Sequence, residues 1–427
     1  MSSPSVSWPA EADTGGPAGR RTRLSNVVAF GLSVFILLTY SGAWIMPLIG
    51  EATDPANSGL ARNLYFPAYG ATLVLLALRP RDVLQVVIRE PFLVLLLAIA
   101  AGSIVWSVEP DQTQRRVIAI LFTTLGGVVL GARWRWARLA EVLAVTFAIL
   151  VVASLLAGLF VPSIGRMSVL FPGAWRGLWD EKNTFGGLMS FGVLFFCSAA
   201  LFARKRALLW GGMAVLGLAL LLLSTSKTSL VALFLGLGVF GFVLLARRGG
   251  AMAVVAVYAA VLALVTLGAA LWLAPNIFLE LLGKDATLTG RTKIWAGVIR
   301  QARLRPWLGY GYGAVWTETS RWGPLAKITK EAGFTAHHAH NSWLEQWLGL
   351  GWVGLSAWAL YYLGVLGRAI WAVFTSRGAL LMFPFLMVYT LISLTESVAL
   401  VYNDLRWVLF VALASRLALP QSGPEAD

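Results

Sequence analysis

The 427 residues describe an all-α, polytopic helical membrane protein. Of these residues 58% are hydrophobic and only 13% are charged, where a soluble domain carries about 25% charged residues. Apolar runs close to the length needed to cross a bilayer recur from end to end. Arg and Lys collect in alternate gaps between the runs, as expected of a chain threaded repeatedly through a membrane.

Taken in order, the runs fall near residues 27–48, 64–78, 91–108, 117–132, 139–161, 184–203, 207–224, 228–246, 251–274, 343–366, 379–395 and 401–416, about twelve spans. The second and fourth are short enough to be re-entrant. Before them, residues 1–24 begin with a Ser-, Pro-, Gly- and Ala-rich stretch and read as a disordered tail. No early cleavable signal is expected, so the first span acts as a retained anchor. Spans one to nine occupy 25–274, a large loop with short helices covers 275–342, spans ten to twelve occupy 343–416, and 417–427 is a second tail.

With the N-terminus inside, the cytoplasmic gaps hold seventeen of the 34 Lys and Arg, the short outer gaps hold eight, and the long loop holds nine. This bias predicts two cytoplasmic tails and an outer loop at 275–342. The single Cys197 lies within a span, which excludes an intramolecular disulfide. The net charge of +14 is spread over loops without an aromatic-basic domain. That speaks against nucleic acid and for contact with anionic lipid headgroups.

Chemistry is sought where polar residues gather against this apolar background. The 275–342 loop has nine cations against Glu280, Asp285, Glu318 and Glu331, a surface that draws anions. Residues 289–305 read as an amphipathic helix capped by Thr289 and ended by Pro306. Ile294, Trp295, Val298, Ile299 and Ala302 share one side, and such a helix can lie flat on a bilayer. The following GYGYG, 309–313, reads as a flexible turn without the spacing of a P-loop.

All three histidines, His337, His338 and His340, precede the tenth span. Ser342 and Glu345 form an S-x-x-E capping box, so that span is expected to start at Ser342. The positive helix end disfavours imidazolium and keeps His340 neutral, able to take a proton from a hydroxyl. The competing readings are interfacial histidines without chemistry and an H-x-H metal pair, the latter lacking Cys or a third nearby His. Two further polar islands lie on the same side. STSKTS, 224–229, holds Lys227 at a tight turn between spans, either functional or snorkelling. WRGLWDEKNTFGG, 175–187, carries Asp180, Glu181, Lys182 and Asn183, and Glu396 is a further carboxylate at membrane level.

GRTKIW followed by RPWLGYGYGAVW and HAHNSWLEQWLGLGWVGL resembles the shared core of the O-antigen ligase and Wzy-type polymerase superfamily. STSKTSL, the EKNTFGG stretch and TESVALVYNDLRWVLF follow in the order of its succinoglycan-type exopolysaccharide polymerase branch. The resemblance covers roughly residues 165–415. It implies a GT-C-like, metal-independent, cofactor-free, inverting glycosyltransferase at the periplasmic face of the bacterial inner membrane. The donor would be a polyprenyl-diphosphate-linked oligosaccharide and the acceptor a growing polysaccharide, with flippase and chain-length or export proteins as partners. By motif, His340 matches the essential histidine and Arg291 the diphosphate-holding arginine, and Lys227 stands where many ligases place a second arginine. His338, Asn341, Lys182, Asn183 and Glu396 are supporting candidates. Asp-Glu before Lys182-Asn183 departs from the more usual His-Lys-Asn, and Lys lacks the bidentate fork of Arg. Ligation of glycan to lipid A-core is the alternative within the family. A transporter or flippase is the alternative outside it, but would place its charges at mid-membrane.

Overall fold

The computed structural model describes residues 17–50, 59–169, 171–273, 291–317 and 320–420. Thr289, Glu280, Asp285 and Glu318 lie outside the described residues, as do 1–16 and 421–427 of the two expected tails. Among the described residues the architecture is helical, with one isolated antiparallel bridge between Arg166 and Trp175. The principal helices are α1 (Pro17–Tyr40), α2 (Phe66–Leu78), α3 (Pro80–Arg89), α4 (Pro91–Gly102), α5 (Pro110–Arg133), α6 (Trp136–Phe160), α7 (Lys182–Phe202) and α8 (Ala207–Leu223). They continue with α9 (Lys227–Ala246), α10 (Gly250–Leu273), α11 (Arg291–Leu304), α12 (Pro324–Ala332), α13 (Ser342–Thr375), α14 (Ala379–Ser393) and α15 (Leu405–Ala418).

Each of the twelve apolar runs lies on helix, but six helices among the described residues are long and apolar enough to cross a membrane, or seven with one bent pair. The expected short fourth span is the 24-residue α5. Its first two turns, PDQTQRR, are too polar to register in an apolar window. The second run stays short, since the 13 residues of α2 reach only about 20 Å at 1.5 Å per residue. The bent pair joins α3 to α4 and its continuation at 87°. Glu90 stands at that corner, 3% exposed, held by Arg368 of α13 at 2.7 Å.

Helix α1 starts at Pro17, inside the stretch read as tail. At the far end, α15 packs against α5 through a Gly127-x-x-x-Gly131 pair. A Cβ on Gly131 would stand 2.3 Å from the Ala412 carbonyl oxygen, so only hydrogen fits. Small residues are the usual means of bringing two membrane helices to backbone contact. Around this contact Trp358, Tyr361, Tyr389, Trp407 and Phe410 form a buried aromatic core.

The loop between α10 and α13 has a small core of its own. Ile294, Val298 and Ala302 of α11 pack with Ile328 and Ala332 of α12, and Tyr310, Ala339 and Leu348 close the cluster. The apolar face of α11 therefore meets protein, not the bilayer surface suggested by its amphipathic pattern.

The tenth span is also not one straight helix. Gly351 breaks α13 with φ 66° and ψ −166°. Four backbone groups flanking the break find partners in residues 306–311. Trp352 and Val353 donate to the carbonyls of Pro306 and Trp307 at 2.7 and 3.2 Å, and Tyr310 and Gly311 donate to those of Leu348 and Gly349 at 3.1 and 2.9 Å. The GYGYG stretch is thus a docked strap, not a free turn. A Cβ on Gly309 would lie 2.6 Å from the Gly349 backbone, and one on Gly351 2.2 Å from that of Trp307.

Candidate active site

Five of the site residues singled out by sequence, Arg291, His338, His340, Asn341 and Glu396, converge at the entrance of α13. Asn341 caps the helix, its side-chain oxygen accepting from Trp343 and Leu344 at 2.9 and 3.1 Å. The expected capping box therefore starts one residue too late. Ser342 is the first helical residue, and its hydroxyl serves the segment after α14. It donates to the Glu396 carbonyl at 2.9 Å and accepts from Val398 and Ala399 at 2.9 and 3.1 Å. Glu345 does not reach back to the cap. It accepts from the Ala339 amide at 2.8 Å, from Ser397 at 3.0 Å and from the Trp316 indole.

These bonds hold the backbone immediately ahead of α13, where His340 has φ 50°. A non-glycine residue in the left-handed region is uncommon and is held there by its surroundings. The Trp295 indole of α11 donates to the Ala339 carbonyl at 2.9 Å, and the His340 amide donates to His338 Nδ1 at 3.2 Å. The two imidazole centroids are 3.9 Å apart.

His340 Nδ1 lies 2.9 Å from Glu396 Oε2, and Arg291 Nη2 lies 2.6 Å from Glu396 Oε1. Arg291 Nη1 also donates to the Thr395 carbonyl. One carboxylate thus joins the two residues that the motifs single out. Burial opposes the charge on Glu396, but the His340 hydrogen bond and the Arg291 guanidinium prevail and hold its carboxyl at about 2. Protein crowds the half-buried His338, and that desolvation, followed by the adjacent His340, pushes its imidazole down to about 3. At neutral pH Glu396 is an anion and His338 is neutral. An ionised Glu396 is placed to accept a proton from His340 Nδ1.

The second polar group sits at the N-terminal ends of α7 and α9. Lys182 donates to Thr225 at 3.2 Å and stands 3.7 Å above the Phe171 ring. Ser226 donates to Asn183 at 2.9 Å, directly ahead of Lys227, the first residue of α9. Glu181 connects this group to the first. Its carboxylate is open to solvent on one side but crowded by protein on the other. That partial desolvation raises its pKa first, then Asp180 and Glu396, while His340 and Arg291 pull the other way. His337 is exposed, with no part in these contacts. Arg176 is buried and holds the 162–165 turn through the Ser163 and Ile164 carbonyls.

His338, His340 and Glu396 also bring potential ligand atoms within 4.8 Å of one another. The third ligand absent from the sequence reading is therefore Glu396, contributed from 56 residues downstream. Arg291 occupies the other oxygen of that carboxylate, and its fixed charge together with the α13 N-terminus favours anions over a dication here.

An imidazole and an arginine thus share one carboxylate at the entrance of a long apolar helix. Residues 212–359 match the family model described as O-antigen ligase. The chain is 29% identical over 300 residues to the exopolysaccharide production protein ExoQ of Rhizobium meliloti (strain 1021), an alignment covering 67% of each chain. Residues 212–359 thus resemble the O-antigen ligase family, and the longer alignment resembles an exopolysaccharide production protein.

Proposed function

We propose that this protein is an exopolysaccharide polymerase of the Wzy type. It transfers oligosaccharide repeats from a polyprenyl diphosphate to the terminal hydroxyl of a growing glycan, at the periplasmic face of the inner membrane. The observation that carries the reading is the shared carboxylate of Glu396, which orients His340 and holds Arg291.

In this mechanism His340 Nε2 takes the proton of the acceptor hydroxyl, whose oxygen attacks the anomeric carbon. The carbon–oxygen bond to the diphosphate breaks from the opposite face, so configuration inverts. Glu396 keeps the Nδ1 proton in place and stabilises the imidazolium that forms. Arg291 has N–H donors beyond the two it gives to Thr395 and Glu396, and these meet the charge developing on the leaving diphosphate. Lys227, with Lys182 beside it, adds positive charge near the membrane edge, where the prenyl tail remains in lipid. No divalent metal is required, because polyprenyl diphosphate is already a good leaving group and the fixed cations neutralise it.

The description of the matching family model favours one other reading, transfer of finished glycan to lipid A-core. The relative's description as an exopolysaccharide production protein supports polymerisation. Purified protein supplied with lipid-diphosphate-linked repeats and no other acceptor tests the choice. A ladder of lengthening glycans is expected; product formed only when lipid A-core is added would make the protein a ligase.

A further inference from the structure

The opposite ends of α6, α7 and α8 carry a polar group that the proposed reaction does not use. There the first turns of α6, the last turn of α7 and the first turn of α8 enclose a cavity of about 210 Å³. Ala137, Arg138, Glu141, Phe202 and Trp210 are among the residues that line it. Helix α7 has 21 residues, about 30 Å at 1.5 Å per residue, which is the thickness of the hydrocarbon layer. The cavity therefore faces the other membrane surface from Glu181 and Lys182.

Arg138 and Arg206 both pair with Glu141, leaving the trio with one net positive charge. The two side chains are 44% and 58% exposed, so guanidinium donors remain accessible. Arg377 lies 5.9 Å from the centre of the Phe202 ring and adds a further cation. Trp210 is 4% exposed, and its indole N–H has no acceptor among the described residues. Next to it Leu208 and Leu209 are 94% and 55% exposed, an apolar surface suited to acyl chains.

We propose that this cavity binds the phosphate headgroup of an anionic phospholipid. The arginines supply the charge, Trp210 forms part of the cavity wall, and Leu208 and Leu209 lie against the chains. Basic pockets between membrane helices are a general means of holding such headgroups. A free anion would use the arginines but would gain nothing from the leucines.

The test uses full-length, delipidated protein in a neutral detergent. Native mass spectrometry and thermal unfolding are recorded with added phosphatidylglycerol, phosphatidylcholine or inorganic phosphate. Phosphatidylglycerol should be retained about tenfold more tightly than phosphatidylcholine, a single charge-assisted contact being of that order. It should also raise the unfolding temperature, while inorganic phosphate should not. Arg206→Gln and Arg138→Gln should each reduce phosphatidylglycerol retention several-fold. Equal retention of the two lipids, equal stabilisation by inorganic phosphate, or unaltered phosphatidylglycerol retention in both variants would overturn the assignment. Should a variant misfold, the lipid competition on the unaltered protein still decides.

Discussion

His340 is specialised in its backbone as well as its ring. Its left-handed conformation turns Nδ1 onto Glu396, and the Glu345 carboxylate secures the preceding Ala339 amide. Replacing His337, which is exposed, should leave activity near normal in a turnover assay. Arg291 and Lys227 should separate in the same assay. Arg291→Lys should lose about 10- to 150-fold, since a charged hydrogen bond contributes roughly 1.5–3 kcal/mol and the fork geometry is lost. Lys227→Arg should retain activity, and Arg300→Gln should too, because Arg300 is exposed and pairs with Glu331 at the surface. A loss at Arg300 as large as that at Arg291 would reduce the site to a diffuse basic patch. His338 and Glu396 set an acid limit on this region. Their folded pKa values, about 3 and about 2, lie below the ordinary 6.5 and 4.5. The unfolded chain therefore binds more protons, and stability falls as pH drops from 6.5 towards 2. Thermal unfolding across that range should show the decline, and His338→Asn should flatten it between pH 6.5 and 4.5.

At the scale of elements, the apolar runs and the order of the polar islands were legible because bilayer length and charge leave a strong imprint on sequence. The helix entrance was legible only in part. Ser342 and Glu345 match a local capping pattern, but tertiary partners at Glu396, Val398, Ala339 and Ser397 take both side chains, and Asn341 caps instead. The pairing of 306–311 with the broken α13 joins segments about forty residues apart, and no local pattern announces it. That junction ties the helix bearing Arg291 to the one that follows His340. Gly351→Ala should therefore sharply reduce monodisperse protein in detergent. Both the positive φ and the 2.2 Å approach to Trp307 exclude a methyl group. Gly364→Ala, further along the same helix with nothing within 4 Å, should be tolerated or stabilise by up to about 1 kcal/mol. Equal behaviour of the two variants would mean that the strap does not hold the break.

Across the whole molecule, the arrangement separates duties between the two ends of the bundle. One end gathers His340, Glu396, Arg291 and the Lys227 group; the other holds Glu141 with its arginines and the Glu90–Arg368 pair. Reaction at one membrane face with fixed cations predicts turnover that survives excess EDTA. Activity lost to EDTA and restored by magnesium or manganese would instead make His338, His340 and Glu396 a ligand set. The account rests most heavily on His340 acting as a base oriented by Glu396. Its most direct test is the single-turnover rate of purified protein with a synthetic lipid-diphosphate-linked repeat, compared among unaltered, His340→Ala and Glu396→Gln forms that unfold at similar temperatures. The predicted result is loss of about 100- to 10,000-fold for His340→Ala, the usual contribution of general base catalysis, and a substantial but smaller loss for Glu396→Gln. Unaltered turnover in a folded His340→Ala protein would contradict it.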